Sequence, residues 1–255
     1  VLYRFKGGRD AYYPSSSLLT NTSGVLFGTS DYGGGDCPSV STQGCGTVFT
    51  LTPPAAGETA WTESVLYKFK GGSDGAYPYG SRLMADASGA LYGATNGGGG
   101  GSACLDASYN DGCGTVFKLT PPAAGKTRWT ESALYRFTGG SDGAYPVSGL
   151  IADSSGALYG ETSEGGTVCN NSGLPASLPC GTVFKLTPPA GGQKTWIETV
   201  LLAFTGGSDG ALPLGYDGLV AGPSGALYGT TFSGAQTCPS ESLYGACGVV
   251  FQLNP

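Results

Sequence analysis

The sequence predicts an all-β fold: a four-bladed β-propeller of four-stranded antiparallel blades, its ring closed by the N-terminal strand completing the last blade. Three observations lead there. Glycine and aromatic residues dominate a chain with few charges. One block recurs four times. The chain also begins with the element that its last block lacks.

Of 255 residues, 47 are glycine, 15 tyrosine and 10 phenylalanine, only 12% are charged and one is methionine. Such a composition is short of the Glu, Lys, Ala and Leu runs that build helices and suits short strands joined by glycine turns. A hydrophobic fraction of 40% is enough to form a core. Net charge is −6 without a basic cluster, which argues against nucleic acid as a partner, because phosphate contacts need grouped Lys and Arg. No apolar run approaches the length of a membrane-spanning helix. The chain opens directly in a strand with no leader ahead of it, as a processed chain would.

The repeats set the architecture. Gly-Thr-Val-Phe begins at Gly46, Gly114 and Gly181 and returns as Gly-Val-Val-Phe at Gly248, giving spacings of 68, 67 and 67. Ser-Gly-x-Leu-x-Gly begins at Ser23, Ser88, Ser155 and Ser224. Gly-Gly-Ser-Asp-Gly-Ala-Tyr-Pro occupies 71–78 and 139–146, with variants at 7–14 and 206–213. The repeats run approximately 1–64, 65–132, 133–199 and 200–255 within one domain.

In the third repeat the expected strands are 149–153, 157–162, 181–187 and 195–204. Ser-Ser-Gly makes a hairpin turn between the first two. The Pro-Pro run after the third cannot extend a ladder, because proline has no N–H to give. In the last strand, Val65, Tyr67 and Phe69 alternate with Leu66 and Lys68. Lys68, Lys118, Arg136 and Lys185 read as solvated protection of outer strands.

Sheets that cannot bury both faces alone must stack on copies of themselves, radially or linearly. Residues 1–5, Val-Leu-Tyr-Arg-Phe, match the fourth strands beginning at Val65, Ala133 and Val200, whereas the last repeat stops after its third strand. A ring follows. The eight cysteines fall into one close couple per repeat: Cys37/Cys45, Cys104/Cys113, Cys169/Cys180 and Cys238/Cys247. With no histidine and no short zinc spacing, these read as four disulfides of an oxidising, extracellular compartment.

Together, Ser-Gly-Ala-Leu-Tyr-Gly, Gly-Thr-Val-Phe-Lys-Leu-Thr-Pro and Leu-Tyr-Arg-Phe-Thr-Gly-Gly-Ser-Asp-Gly-Ala-Tyr-Pro resemble the Gloeobacter/Verrucomicrobia ("GloVer") repeat across the whole chain. The resemblance implies a bacterial secreted or surface-anchored protein with a propeller-like fold. It brings no catalytic residues.

In a propeller the cysteine loops and the Asp/Tyr loops share one face. Tyr13, Tyr77 and Tyr145 offer rings for the C–H faces of a sugar, and Asp10, Asp74, Asp142 and Asp209 offer acceptors for its hydroxyls. Turn formation and blade wedging are the structural alternative for both sets. Tyr109, Asp111, Glu241 and Tyr244 are the recognition candidates inside the cysteine loops. The expected function is therefore glycan binding through one decorated face. Lack of histidine removes Ser-His-Asp and Cys-His catalysis. A polysaccharide-acting enzyme would use paired carboxylates, for which Glu161, Glu164 and Asp217 depart most from the repeat. Self-association into a structural assembly is a third reading. Asp31, Asp36, Asp106 and Asp111 are oxygen ligands of the kind calcium takes, without an Asp-x-Asp-x-Asp-Gly loop, and no other cofactor is called for.

Overall fold

The structure, a computed structural model, describes residues 1–37, 43–101, 104, 112–169, 180–215, 218–234 and 247–255. It is all-β with antiparallel sheets. The first repeat contains β1 (Ala11–Tyr12), β2 (Leu19–Thr20), β3 (Leu26–Ser30), β4 (Tyr32–Gly33), β5 (Thr47–Thr52) and β6 (Thr62–Lys68). The second contains β7 (Met84–Ala85), β8 (Leu91–Thr95), β9 (Thr115–Thr120) and β10 (Thr130–Arg136). The third adds β11 (Ala144–Pro146), β12 (Ile151–Ala152), β13 (Leu158–Glu164), β14 (Thr182–Thr187) and β15 (Ile197–Ala203). The fourth has β16 (Val220–Ala221), β17 (Leu227–Thr230) and β18 (Val250–Leu253).

Within each repeat the strands pair in chain order: β2-β3-β5-β6, β7-β8-β9-β10, β12-β13-β14-β15 and β16-β17-β18. A short extra bridge recurs in all four, as Tyr12↔Tyr32, Ala76↔Gly97, Ala144↔Glu164 and Ala211↔Ser233. The strict alternation expected of the last strand is interrupted. Val48 faces Tyr67 while Phe49 faces Val65, so Leu66 is an extra residue, and Leu134 and Leu201 repeat the bulge. The bulge turns Leu66 and Tyr67 toward the same core, which simple alternation would forbid.

The core lies in the seams between neighbouring sheets. One buried cluster joins Val48 of the first repeat to Phe117 and Leu119 of the second. The next joins Tyr92 and Val116 to Phe184 and Leu186, and a third joins Tyr159 and Val183 to Leu227. Each seam is keyed by an edge-to-face phenylalanine pair: Phe69–Phe117, Phe137–Phe184 and Phe204–Phe251, with ring centroids 5.1–5.2 Å apart.

Two glycine positions show why the repeated motifs are spelled as they are. A Cβ on Gly93 would sit 2.7 Å from the Phe117 ring, so the final glycine of Ser-Gly-Ala-Leu-Tyr-Gly is the space that the phenylalanine of Gly-Thr-Val-Phe fills. A Cβ on Gly114 would sit 2.5 Å from Pro146, so the first glycine of Gly-Thr-Val-Phe admits the proline of the next repeat.

The first strands of all four repeats converge. Leu19, Met84, Ile151 and Val220 line one apolar cavity of about 390 Å³. Residues 1–6 belong to no strand, and the last sheet ends at β18, where Val250 is 78% exposed. The atoms nearest a Cβ on Gly248 all belong to Thr231 and Phe232 of its own repeat, whereas Gly46 and Gly114 meet the equivalent carbonyls and a proline of the next repeat besides. No described helix is long and apolar enough to cross a membrane.

Candidate ligand site

The four loop aspartates close their own turns. Asp10 accepts from the Tyr3 hydroxyl (3.2 Å) and the Lys6 N–H (2.8 Å). Asp74 accepts from the Tyr67 hydroxyl and the Lys70 N–H, and Asp142 from the Tyr135 hydroxyl (3.1 Å) and the Thr138 N–H (2.8 Å). Asp209 takes both donors from Thr205, at 2.8 and 2.7 Å. Burial and the adjacent carboxylate push the Tyr67 and Tyr135 hydroxyls well above the usual phenol range, so they stay donors.

The tyrosine that follows each aspartate is strained. Tyr13, Tyr77 and Tyr145 have φ of 55–56°, and Leu212 has 54° at the fourth equivalent position. A left-handed non-glycine residue costs roughly 1–3 kcal/mol and persists only where its surroundings hold it. Here the neighbouring repeats do so. The Tyr77 N–H donates to the Cys45 carbonyl and its own carbonyl accepts from Asn96, both at 2.8 Å. Tyr145 and Leu212 donate likewise to Cys113 and Cys180. The cysteine carbonyls thus fix the backbone at Tyr77, Tyr145 and Leu212, and disulfides Cys37–Cys45, Cys104–Cys113 and Cys169–Cys180 anchor them. Cys247 is disulfide-bonded as well, and Cys238, the couple expected from the sequence, lies outside the described residues.

At the first junction these rings line a cavity. Tyr12, Tyr13, Asp31, Tyr32, Gln43, Tyr77, Tyr79 and Asn96 line a bowl of about 550 Å³ between the first two repeats. Its wall is continuous: Tyr12–Tyr13, Tyr13–Tyr32 and Tyr32–Tyr77 have centroids 4.6, 6.1 and 5.5 Å apart, each edge-to-face. Tyr13 is 59% exposed, whereas Tyr77 is buried against its disulfide. Asp31 follows β3 and is only 6% exposed. The Ser15 hydroxyl donates to Asp31 Oδ1 and accepts the Gly80 N–H of the second repeat at 3.3 Å. Burial raises the Asp31 carboxyl to about 6, against the opposing effect of the Ser15 hydrogen bond.

Of the expected site residues, Tyr13 and Tyr77 therefore meet in one cavity. Tyr145 sits at the next seam, its hydroxyl donating to the Cys104 carbonyl at 3.1 Å. Tyr109, Asp111, Asp217, Glu241 and Tyr244 lie outside the described residues. Glu161 is 1% exposed in the seam between the third and fourth repeats, where a Cβ on Gly229 would fall 2.8 Å from its Oε1. Glu164 is half-buried on the recurring bridge opposite Ala144. Neither glutamate lines the bowl or the apolar cavity beside Leu19, Met84, Ile151 and Val220. Among the described residues no three His, Cys, Asp or Glu side chains converge on a cation position.

Tyr12, Tyr32, Gln43, Tyr79 and Asn96 escaped the sequence reading, which named Asp31 only as an oxygen ligand for calcium. The signal was available: Tyr12 and Tyr32 occupy the bridge that Ala76 and Gly97 fill in the second repeat. Departure from the repeat, which singled out Glu161, also marks these two.

The Gloeobacter/Verrucomicrobia repeat profile matches residues 1–174, more than half of the chain. The chain belongs to that family. No curated protein matches the chain. Among solved structures, one provisionally named a gluconolactonase is 17% identical, with a TM-score of 0.41 over 93% of this chain and 59% of its own length. This chain therefore spans less than two thirds of that structure.

Proposed function

We propose that this chain is an extracellular carbohydrate-binding module whose ligand sits in the tyrosine bowl between the first two repeats. The supporting observation is the lining: five tyrosines beside one carboxyl and two carboxamides. Pyranose rings present C–H faces that pack on aromatic rings and hydroxyls that need polar partners. A cavity of about 550 Å³ is within the usual range for small-ligand sites. Disulfides suit an oxidising compartment. They also hold the walls in place before binding, which lowers the ordering cost.

The test is a glycan screen of the oxidised protein beside Tyr12→Ala and Tyr79→Ala, both at the accessible rim. Each substitution is expected to weaken binding at least tenfold while leaving thermal unfolding unchanged. A screen without any glycan ligand, or full binding by both variants, would refute the bowl as a sugar site.

The scaffold reading that accompanies this is a ring of four blades, closed by residues 1–5 against β18. Supporting it, Phe5 meets Phe49 edge-to-face at 4.8 Å, as Phe69 meets Phe117. Tyr3 also grips Asp10 as Tyr67 grips Asp74. By the register of β6 on β5, Tyr3 would face Val250. Tyr3→Cys/Val250→Cys is expected to form an intramolecular disulfide. An intermolecular one would instead favour self-association through the exposed edge, and no crosslink at all would argue against closure.

A further inference from the structure

Among the described residues, Asp31 is the only carboxyl that lines the bowl, and no lysine or arginine lines it. The adjoining stretch 38–42, Pro-Ser-Val-Ser-Thr, is uncharged by sequence. We propose, resting on the carbohydrate reading, that the bowl selects an amino sugar and seats its ammonium group against Asp31 inside the tyrosine wall.

Three features converge on a cation. First, an ionised carboxylate offers acceptor sites on two oxygens, and at Asp31 the hydroxyl of Ser15 takes one of them. Taking such a group out of water is costly unless a counter-charge arrives with the ligand. Second, the faces of tyrosine rings attract cations. Four rings in edge-to-face succession line the same bowl as Asp31 and can add that attraction to the ion pair. Third, the position is held rather than free to swing away. The Asp31 N–H donates to the Tyr13 carbonyl at 3.0 Å, and Ser15 ties the carboxyl to the second repeat through Gly80. A neutral sugar would satisfy the rings and leave the charge unmatched. A uronic or sulfated sugar would be repelled by it.

The groups facing Asp31 are the phenols of Tyr12, Tyr13, Tyr32, Tyr77 and Tyr79, the amides of Gln43 and Asn96, and the Ser15 hydroxyl. None of these changes charge between pH 5 and 7. Burial raises the Asp31 carboxyl to about 6, so it is mostly ionised at pH 7 and mostly neutral at pH 5. Acidification can only add charge to an amine. Weaker binding at pH 5 therefore reports the carboxyl and not the ligand.

The experiment is calorimetric titration with hexamers of glucosamine, N-acetylglucosamine and glucose, with tetramethylammonium as a sugar-free cation, at pH 7 and pH 5. The glucosamine hexamer is expected to bind at least tenfold tighter than the acetylated one at pH 7, and to lose that advantage at pH 5. Asp31→Asn, nearly isosteric and neutral, should erase the difference between hexamers. The pH series uses the wild-type protein, so the proposal stays testable if that variant does not fold. Equal binding of acetylated and free-amine hexamers at both pH values would overturn the amino-sugar proposal and leave the carbohydrate reading standing. Binding of tetramethylammonium without any hexamer would overturn both.

Discussion

Replacing Glu161 with threonine, the residue at the same place in the first and last repeats, is expected to stabilise the protein at pH 8 and to do little at pH 4. Glu161 lies in the third seam, 1% exposed, with its Oε1 against Gly229 and no hydrogen-bond partner among the described residues. Burial raises its carboxyl to about 8, offset in part by the Ser148 hydrogen bond. The folded state therefore holds a proton that the unfolded chain releases from about pH 4.5. Stability is complete below that value and is lost as pH climbs through about 8, by roughly 3–5 kcal/mol for a shift of this size. Glu63, Glu131 and Glu198 push in the same direction. Burial, and then the nearby Asp10, Asp74 and Asp142, raise them to about 6, 7 and 7.

At the acid end the sign reverses. Hydrogen bonds from Ser155, Tyr159 and Ala157 hold Asp153 at about 2, so its contribution is present above the usual aspartate value and fades as pH falls toward 2. Denaturant unfolding across pH should therefore peak near pH 4–5. In Glu161→Thr the decline from there to pH 8 should be much shallower. Equal slopes for wild type and variant would show that Glu161 reaches water in solution, and the seam would not be as dry as it is drawn.

Most strands, their order within each repeat and three of the cysteine couples were legible because they rest on local rules, whereas residues 1–5, read as a strand, belong to none. Alternation, proline breaks and hairpin glycines all act within about ten residues. The seams were less legible. Gly93 and Phe117 both stood out as repeated letters, but only the structure pairs them as space and filler. The bulge at Leu66 was invisible, since an apolar residue on either side of it reads the same in sequence. For the loop aspartates the recurring motif fitted turn closure and ligand binding equally well. Recurrence is what a folding requirement produces, and these aspartates hydrogen-bond within their own turns. The bowl depends on the opposite signal. It arises where the first repeat departs from the others, at Tyr12, Asp31 and Tyr32, which lie up to 20 positions apart and meet through a two-residue bridge.

Phe117→Ala is expected to destabilise the protein by about 3–5 kcal/mol, the usual loss for a fully buried phenylalanine. The ring is completely buried between the first two sheets and meets Phe69 edge-to-face at 5.1 Å. Its far edge rests over Gly93, where a Cβ would fall 2.7 Å from Cζ. That contact makes a sharper claim than the cavity alone. Gly93→Ala in the wild type forces the ring to move and should cost about 1–3 kcal/mol as overpacking. The backbone of Gly93 is not left-handed, so the penalty comes from space and not from conformation. Once Phe117 is alanine, the same methyl enters vacated volume, and Leu83 at 3.1 Å is its nearest remaining obstacle. The two substitutions should therefore couple, the double variant being more stable than the sum of the singles by at least about 1 kcal/mol. Additive losses would mean that the ring and the glycine do not share one space, and the repeated pairing of Gly-Thr-Val-Phe with the last glycine of Ser-Gly-Ala-Leu-Tyr-Gly would need another cause. Coupling at this cross-strand pair predicts the same for Gly160 with Phe184, where the Cβ would come within 2.6 Å of the ring. A motif read first as a repeat marker then becomes a packing rule that recurs inside each sheet.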